Sequence, residues 1–321
     1  MGSLGSSKIP VIDFTRPDLK QGTDIWFSTT AEVCAALSEI GCFLALFDRV
    51  PPNIYELIFR EADNLFDLPV EVKVKNVSDK PYHGYVGQMA KFPLHEGIGV
   101  DYATEVDRVR EFTQLMWPKG NNNFSEVVYS YSKIVEELDD MVVRMIFEHY
   151  GIEKHYDSHK ASKSYLLRFL KYGVPTGATD EGEIGVPRHT DKTFLSILHQ
   201  NQVNGLEIQT KDGEWIGIDL APSSLVVMAG EASMAWSNDR IYPCVHRVMM
   251  KAAAKRYTLA LFSFISGMVK VPEELIDEEH PLQYEPFNNT ELVQHYASDA
   301  NRLNHGFSVK VYFGVKSSVV A

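Results

Sequence analysis

The stretch from Cys244 to Ile265, CVHRVMMKAAAKRYTLALFSFI, decides the fold. Two short β-type runs, Cys244 to Met249 and Tyr257 to Ile265, sit on either side of a small, polar connection. Working upstream, runs of the same kind recur at Leu225 to Ala229, Trp215 to Ile218, Leu206 to Thr210, Phe194 to His199 and Tyr165 to Tyr172. Strands this short and this regularly spaced suggest a sandwich or barrel, and with the helices read below the expectation is a mainly β protein with flanking α-helices around a double-stranded β-helix, or jelly-roll, core.

Ahead of residue 160 the pattern turns helical. A strand-like IPVID (Ile9 to Asp13) precedes Thr29 and Glu32, which form a capping-box pair before Val33, Leu37 and Ile40 on one helical face. Gly41 and an apolar run, Cys42 to Phe47, follow. Pro51 and Pro52 open a second helix that continues until Pro69, and Asn123 to Gly151 is the longest periodic segment, a helix covering the core. A last helix is expected over Asn289 to Ala297. With neither repeats nor a Pro- or Ser-rich linker, residues 1–321 read as one unit, a helix-rich part (1–160) packed on a jelly-roll core (161–321). The glycine-containing segment Tyr82 to Asp101 reads as a mobile cover or a plain surface loop.

Composition narrows the function. Hydrophobic residues make up 45% of the chain and charged residues 23%, enough for a large core. Lys and Arg number 31 against 43 Asp and Glu, a net charge of −12 that repels phosphate backbones and anionic lipid, so neither nucleic acid nor membrane is an expected partner. Three scattered cysteines, Cys34, Cys42 and Cys244, make no disulfide framework or zinc knuckle. Without a signal-peptide core or an apolar span, a cytoplasmic monomer acting on a small molecule is the expectation. The sequons at Asn76, Asn123 and Asn288 then read as chance matches, and the myristoylation pattern at Gly2 and Ser6 lacks a polybasic second anchor.

The chemistry must come from histidines and carboxylates, because no phosphate-cradling loop, GxSxG elbow or Cys/His nucleophile pair occurs. A His-x-Asp pair on a strand puts both side chains on one face, and a third ligand can complete three adjacent metal positions. His155-Tyr-Asp157 lies in the polar EKHYDSHK and reads as solvated surface. His189-Thr-Asp191 follows the turn-rich GATDEGEIGVPR (177–188) and leads into the apolar FLSIL, as at a strand's start, and His246 sits in a period-two apolar pattern where an unpartnered imidazole would be costly. On the following strand Arg256, Thr258, Ala260, Phe262 and Phe264 share one side. A guanidinium at that depth needs an anion, and its fork fits a carboxylate, with the Thr258 hydroxyl as a further donor. An iron(II) ion, Asp191, a dianionic keto acid and Arg256 together would be electrically neutral, which eases burial.

With these residues in place the chain resembles the plant 2-oxoglutarate- and iron(II)-dependent dioxygenases over nearly its whole length, from IPVID through GCFLALF to the His-Thr-Asp, SNDRIYPCVHRV and Arg-x-Thr. The combined spacing carries the resemblance: 55 positions from Asp191 to His246, then ten to Arg256. It implies that His189, Asp191 and His246 are the iron ligands and catalytic centre, that Arg256 with Thr258 holds the distal carboxylate of 2-oxoglutarate, and that Tyr172 hydrogen-bonds the same cosubstrate. It also implies O2 as the oxidant, release of succinate and CO2, and ascorbate as reductant, with hydroxylation, desaturation, ring closure or dealkylation of a small specialised metabolite as the outcome. Two departures stand out: Arg-x-Thr replaces the usual Arg-x-Ser, and Leu170-Lys171-Tyr172-Gly173 replaces Asn-Tyr-Tyr-Pro. The segment PYHGYVGQMAKFPLHEGIGVD (81–101) is most similar to the branch of glucosinolate-side-chain oxygenases and their relatives.

Phe262, Phe264 and Arg168 are the candidate substrate contacts. Two alternatives accompany this reading: a 2-oxoglutarate-independent iron oxidase of the same superfamily, and a non-catalytic small-molecule-binding protein on the same scaffold.

Overall fold

A computed structural model describes residues 9–87, 89–175, 182–298 and 308–316 of the chain. Gly2 and Ser6, and part of the turn-rich stretch before His189, lie outside the described residues.

In chain order the strands that frame the core are β1 (Val11–Asp13), β2 (Cys42–Leu46), β3 (His95–Asp101), β4 (Lys163–Tyr172), β5 (Glu183–His189), β6 (Leu195–Gln200), β7 (Leu206–Gln209), β8 (Trp215–Gly217), β9 (Ser224–Ala229), β10 (His246–Met250) and β11 (Arg256–Ile265). They form a seven-stranded sheet, β1-β2-β9-β6-β11-β4-β3, and a four-stranded sheet, β5-β10-β7-β8. Every pairing in them is antiparallel except β1 with β2. A short ribbon, β12 (Met268–Val269) with β13 (Phe287–Asn288), lies outside both sheets.

Strand alternation sorts the core into two layers. Odd positions of β11, Tyr257, Leu259 and Leu261, join Phe169, Ile197 and Val227 against the helices. Even positions join Leu198, Val226 and Met228 toward Leu206 and Ile208 of the smaller sheet. The helices on the outer face are α1 (Asp24–Glu39), α2 (Pro52–Phe66), α3 (Val70–Lys73), α4 (Val106–Met116) and α5 (Asn122–His149). Beyond α5 come α6 (Tyr156–Ser162), α7 (Glu231–Trp236), α8 (Asn289–Ser298) and α9 (Val309–Phe313). Helix α5 buries the stripe Val127, Tyr131, Leu138 and Met145, as the period of the sequence requires.

Three expectations need correction. Thr29 does not cap α1; the cap is Thr23, whose Oγ1 accepts from Trp26 N at 3.2 Å, so Thr29 is buried within the helix. The segment Tyr82 to Asp101 is not all cover: its second half is β3, an edge strand paired along its length with β4. The turn-rich stretch before His189 ends in β5, a strand whose Gly185 and Pro187 hide it from propensity. Strands β4 and β6 to β11, with α2, α5 and α8, lie where the sequence places them, within one or two residues. His155 and Asp157 lie in the surface segment around α6, with His155 Nε2 3.2 Å from Glu274. All three cysteines are free and buried, and Cys42 and Cys244 share the core layer between the sheets.

Candidate active site

Between the sheets opens a cavity of about 260 Å³ lined from both sides. On the smaller sheet, His246 opens β10 and pairs directly with His189, the last residue of β5. The two imidazole centroids are 4.1 Å apart. Asp191 is not on a strand with His189, as the sequence pattern suggested. It lies where the chain leaves the smaller sheet and crosses to β6 in the larger one, and that crossing turns its carboxylate back toward the histidines. Its Oδ1 is 3.7 Å from His189 Nε2 and 3.9 Å from His246 Nε2, and ligand atoms of all three residues lie within 4.8 Å of one another.

The surroundings prepare these groups for a cation. His189 Nδ1 is 2.8 Å from Pro187 O and His246 Nδ1 is 3.1 Å from Cys244 O, so each Nδ1 donates and each Nε2 keeps a lone pair. Burial, and then the neighbouring His246, holds His189 well below the usual imidazole range. For Asp191 burial works toward a higher pKa, but the two histidines, Ser196 and Lys192 outweigh it and keep the carboxyl ionised. Ser196 Oγ donates to Asp191 Oδ2 at 2.6 Å, leaving Oδ1 for a metal. Two imidazoles and one carboxylate on one side of a point, with the other side open to a cavity, suit a divalent transition metal that must also bind small ligands.

On the larger sheet, Arg256 faces Tyr172 across β11 and β4, and Thr258 lies between Leu170 and Gln200. The Arg256 side chain is among the largest fully buried ones. Its Nη2 donates to Gln200 Oε1 at 2.8 Å, while Nε, Nη1 and the Thr258 hydroxyl have no protein partner. The Tyr172 ring lies 5.1 Å from the guanidinium carbon. A buried cation with two unpaired donors beside an unpaired hydroxyl is costly unless an anion completes it. A carboxylate of a small diacid fits that set, and the neutral Gln200 leaves the charge uncompensated for it.

The cavity thus gathers every expected residue: His189, Asp191, His246, Arg256, Thr258, Tyr172, Arg168, Phe262 and Phe264 all line it. Sequence reading missed the supporting groups. Gln200 and Ser196 sit on β6, a plain buried strand by pattern, where a polar residue facing the cavity was the available signal. Glu231 gave none. It is buried at the start of α7, accepts from Lys192 Nζ at 2.8 Å and from Thr190 Oγ1, and takes Val309 N on its other oxygen at 2.7 Å. The crossing that carries Asp191 is thereby tied to α9.

Residues 145–265 match the 2OG-Fe(II) oxygenase superfamily, and residues 9–120 match the N-terminal region described as non-haem dioxygenase in morphine synthesis. A relative from Arabidopsis thaliana, "Probable 2-oxoglutarate-dependent dioxygenase AOP1.2", is 40% identical over 304 residues, covering 93% of this chain and 94% of its own. Among solved structures, the rice dioxygenase for auxin oxidation superposes with a TM-score of 0.78 at 27% identity, covering 96% of this chain and 100% of its own. The Arabidopsis thaliana enzyme AtDAO1, in a binary complex with 2-oxoglutarate, gives 0.76 at 28% identity, covering 85% and 100%.

Proposed function

Because the chain belongs to the 2OG-Fe(II) oxygenase superfamily, and so is a 2-oxoglutarate- and iron(II)-dependent dioxygenase with a jelly-roll core, we propose that His189, Asp191 and His246 hold its iron and that Arg256 and Thr258 clamp its cosubstrate. The observation that carries this assignment is the pair of complementary walls. Three ligand atoms converge within 4.8 Å on one wall, and Arg256 Nε, Nη1 and Thr258 Oγ1 wait unpaired on the other. Iron(II) bound there supplies the activation of O2, coupled to decarboxylation of 2-oxoglutarate to succinate and CO2. The chain's own residues position and shield. Nδ1 bonds to Pro187 O and Cys244 O fix the tautomers of the two histidines, Ser196 orients the carboxylate, and Tyr172 supports the guanidinium plane. Phe262 and Phe264 give the substrate an apolar wall that keeps water from the reacting bond.

The similarity to the AOP proteins supports a substrate among small plant specialised metabolites of the kind handled by the glucosinolate-side-chain oxygenase branch. Ascorbate serves as reductant. The chain works as a single monomeric unit in the cytoplasm, with residues 1–160 bracing the catalytic part, 161–321. Among the described residues no helix is long and apolar enough to cross a membrane.

Anaerobic addition of iron(II) and 2-oxoglutarate should produce a visible charge-transfer band, lost in His246→Ala. In air, succinate should form in step with substrate oxidised. Substrate oxidised without succinate would instead identify the cosubstrate-independent oxidase. Binding with neither band nor turnover would identify the non-catalytic binder.

A further inference from the structure

Arg168 is a charge in this cavity that the dioxygenase cycle does not use and, unlike Lys192 with Glu231, it has no carboxylate partner among the described residues. It lies in the middle of β4, paired with Ala260 on one side and Gly99 on the other, and is 6% exposed. Its side chain lines the cavity, and Nη1 has no hydrogen-bond partner. Among the described residues no carboxylate offsets it, the electrostatic support coming only from Tyr172 and Tyr82. The acids of the neighbouring strand β3 are already engaged. Glu96 takes Lys73 at 2.5 Å, and Asp101 takes Lys80 at 3.1 Å and His83 at 3.2 Å. Burial lowers the Arg168 pKa to about 10, so the group is still a cation near neutrality.

The room beside it is built in. A Cβ at Gly97 would collide with Arg168 Nη2, so glycine there leaves the guanidinium its place. His95, across β3 from Tyr172, presents a second buried nitrogen, Nδ1, with no partner. Arg168 stands four residues along β4 from Tyr172, the residue opposite Arg256, an offset of about 13 Å along the sheet. Their backbones are thus set apart along the sheet, while the Tyr172 ring lies within electrostatic reach of both guanidiniums. If iron(II), Asp191, 2-oxoglutarate and Arg256 cancel, Arg168 is one positive charge in excess, and a buried excess charge calls for a counterion. Leu166, Phe262 and Phe264 line the same cavity and give that counterion an apolar neighbourhood.

We propose that Arg168 anchors an oxyanion, a carboxylate or a sulfate, on the primary substrate, so that this enzyme oxidises a small acid with an apolar body. The inference rests on the dioxygenase reading of the same cavity, since it assigns the Arg256 site to 2-oxoglutarate.

Calorimetry on anaerobic protein loaded with iron(II) and 2-oxoglutarate tests it, with phenylacetate, phenyl sulfate and the neutral 2-phenylacetamide as probes. At least one anion should bind at least 10-fold more tightly than the amide, and which of the two binds separates carboxylate from sulfate recognition. Arg168→Gln should lose that preference while binding 2-oxoglutarate as the parent does, and Arg168→Lys should restore part of it. An amide bound as well as the acids, anions bound equally by Arg168→Gln, or no anion bound by protein that holds 2-oxoglutarate would each overturn the proposal. Should Arg168→Gln fail to fold, the acid-over-amide preference of the parent protein still decides. Failure of the parent to bind 2-oxoglutarate would count against the dioxygenase reading instead.

Discussion

Exchanging Arg256 for lysine keeps a positive charge but removes the fork whose Nε and Nη1 face the cavity. Affinity for 2-oxoglutarate should fall about 10- to 100-fold in Arg256→Lys, read as Kd by anaerobic titration, with metal binding unchanged. Ser196→Ala acts on the other wall. Without its 2.6 Å bond the Asp191 carboxylate loses its orientation, and iron(II) affinity should drop about 10-fold with little change in melting temperature. These supporting residues show where legibility in the sequence stops. His189, Asp191, His246 and Arg256 announce themselves because imidazole, carboxylate and guanidinium inside apolar strands demand an explanation. Gln200, Ser196 and Glu231 are ordinary polar residues whose partners lie 56, 5 and 39 positions away, and only the folded chain joins them.

Helix α5 is held to β4 by more than its apolar stripe. Lys163 Nζ lies 2.6 Å from Asp139 and 2.5 Å from Asp140, Tyr165 Oη donates to Asp139 at 2.8 Å, and the Lys163 and Asp139 side chains are each 2% exposed. Burial alone would lower the Lys163 pKa, but the two aspartates outweigh it and raise it, so the group is charged at neutral pH. Lys163→Met would leave Asp139 buried without its cation, and urea unfolding should show a loss of about 3–5 kcal/mol. The pattern of α5 and the strand runs were readable because their periods are long or repeated. Strand β5 was not, since Gly185 and Pro187 mimic a loop, and β3 was not, since Gly97 and Gly99 suggest mobility while serving close packing. The cap of α1 was misplaced because Thr29 and Glu32 match a capping box in type and spacing, while Thr23, six residues earlier, makes the bond.

Across the whole molecule, burial sets an acid limit on stability. His159, packed among Phe147, Phe194 and Trp236, is held down to about 3. His95 is likewise held down to about 3 and His199 to about 4, burial being the main cause in each. In the unfolded chain each would take a proton near pH 6.5, while the folded form resists until its own lower value. The unfolded state therefore binds more protons between about pH 6.5 and 4, and stability falls as pH drops through that window, by up to about 4 kcal/mol per pH unit when all three contribute. Melting temperatures at pH 7.5 and 5.5 check this, and a flat profile would contradict it.

Gly97 has a longer reach than its size suggests. Because its missing methyl is what admits the Arg168 head, two positions on neighbouring strands share one volume. A lineage could trade a charged recognition element for an uncharged one by exchanging that space across the strands. Such drift would leave the wall of His189, Asp191 and His246 untouched, so new chemotypes could be explored without disturbing it.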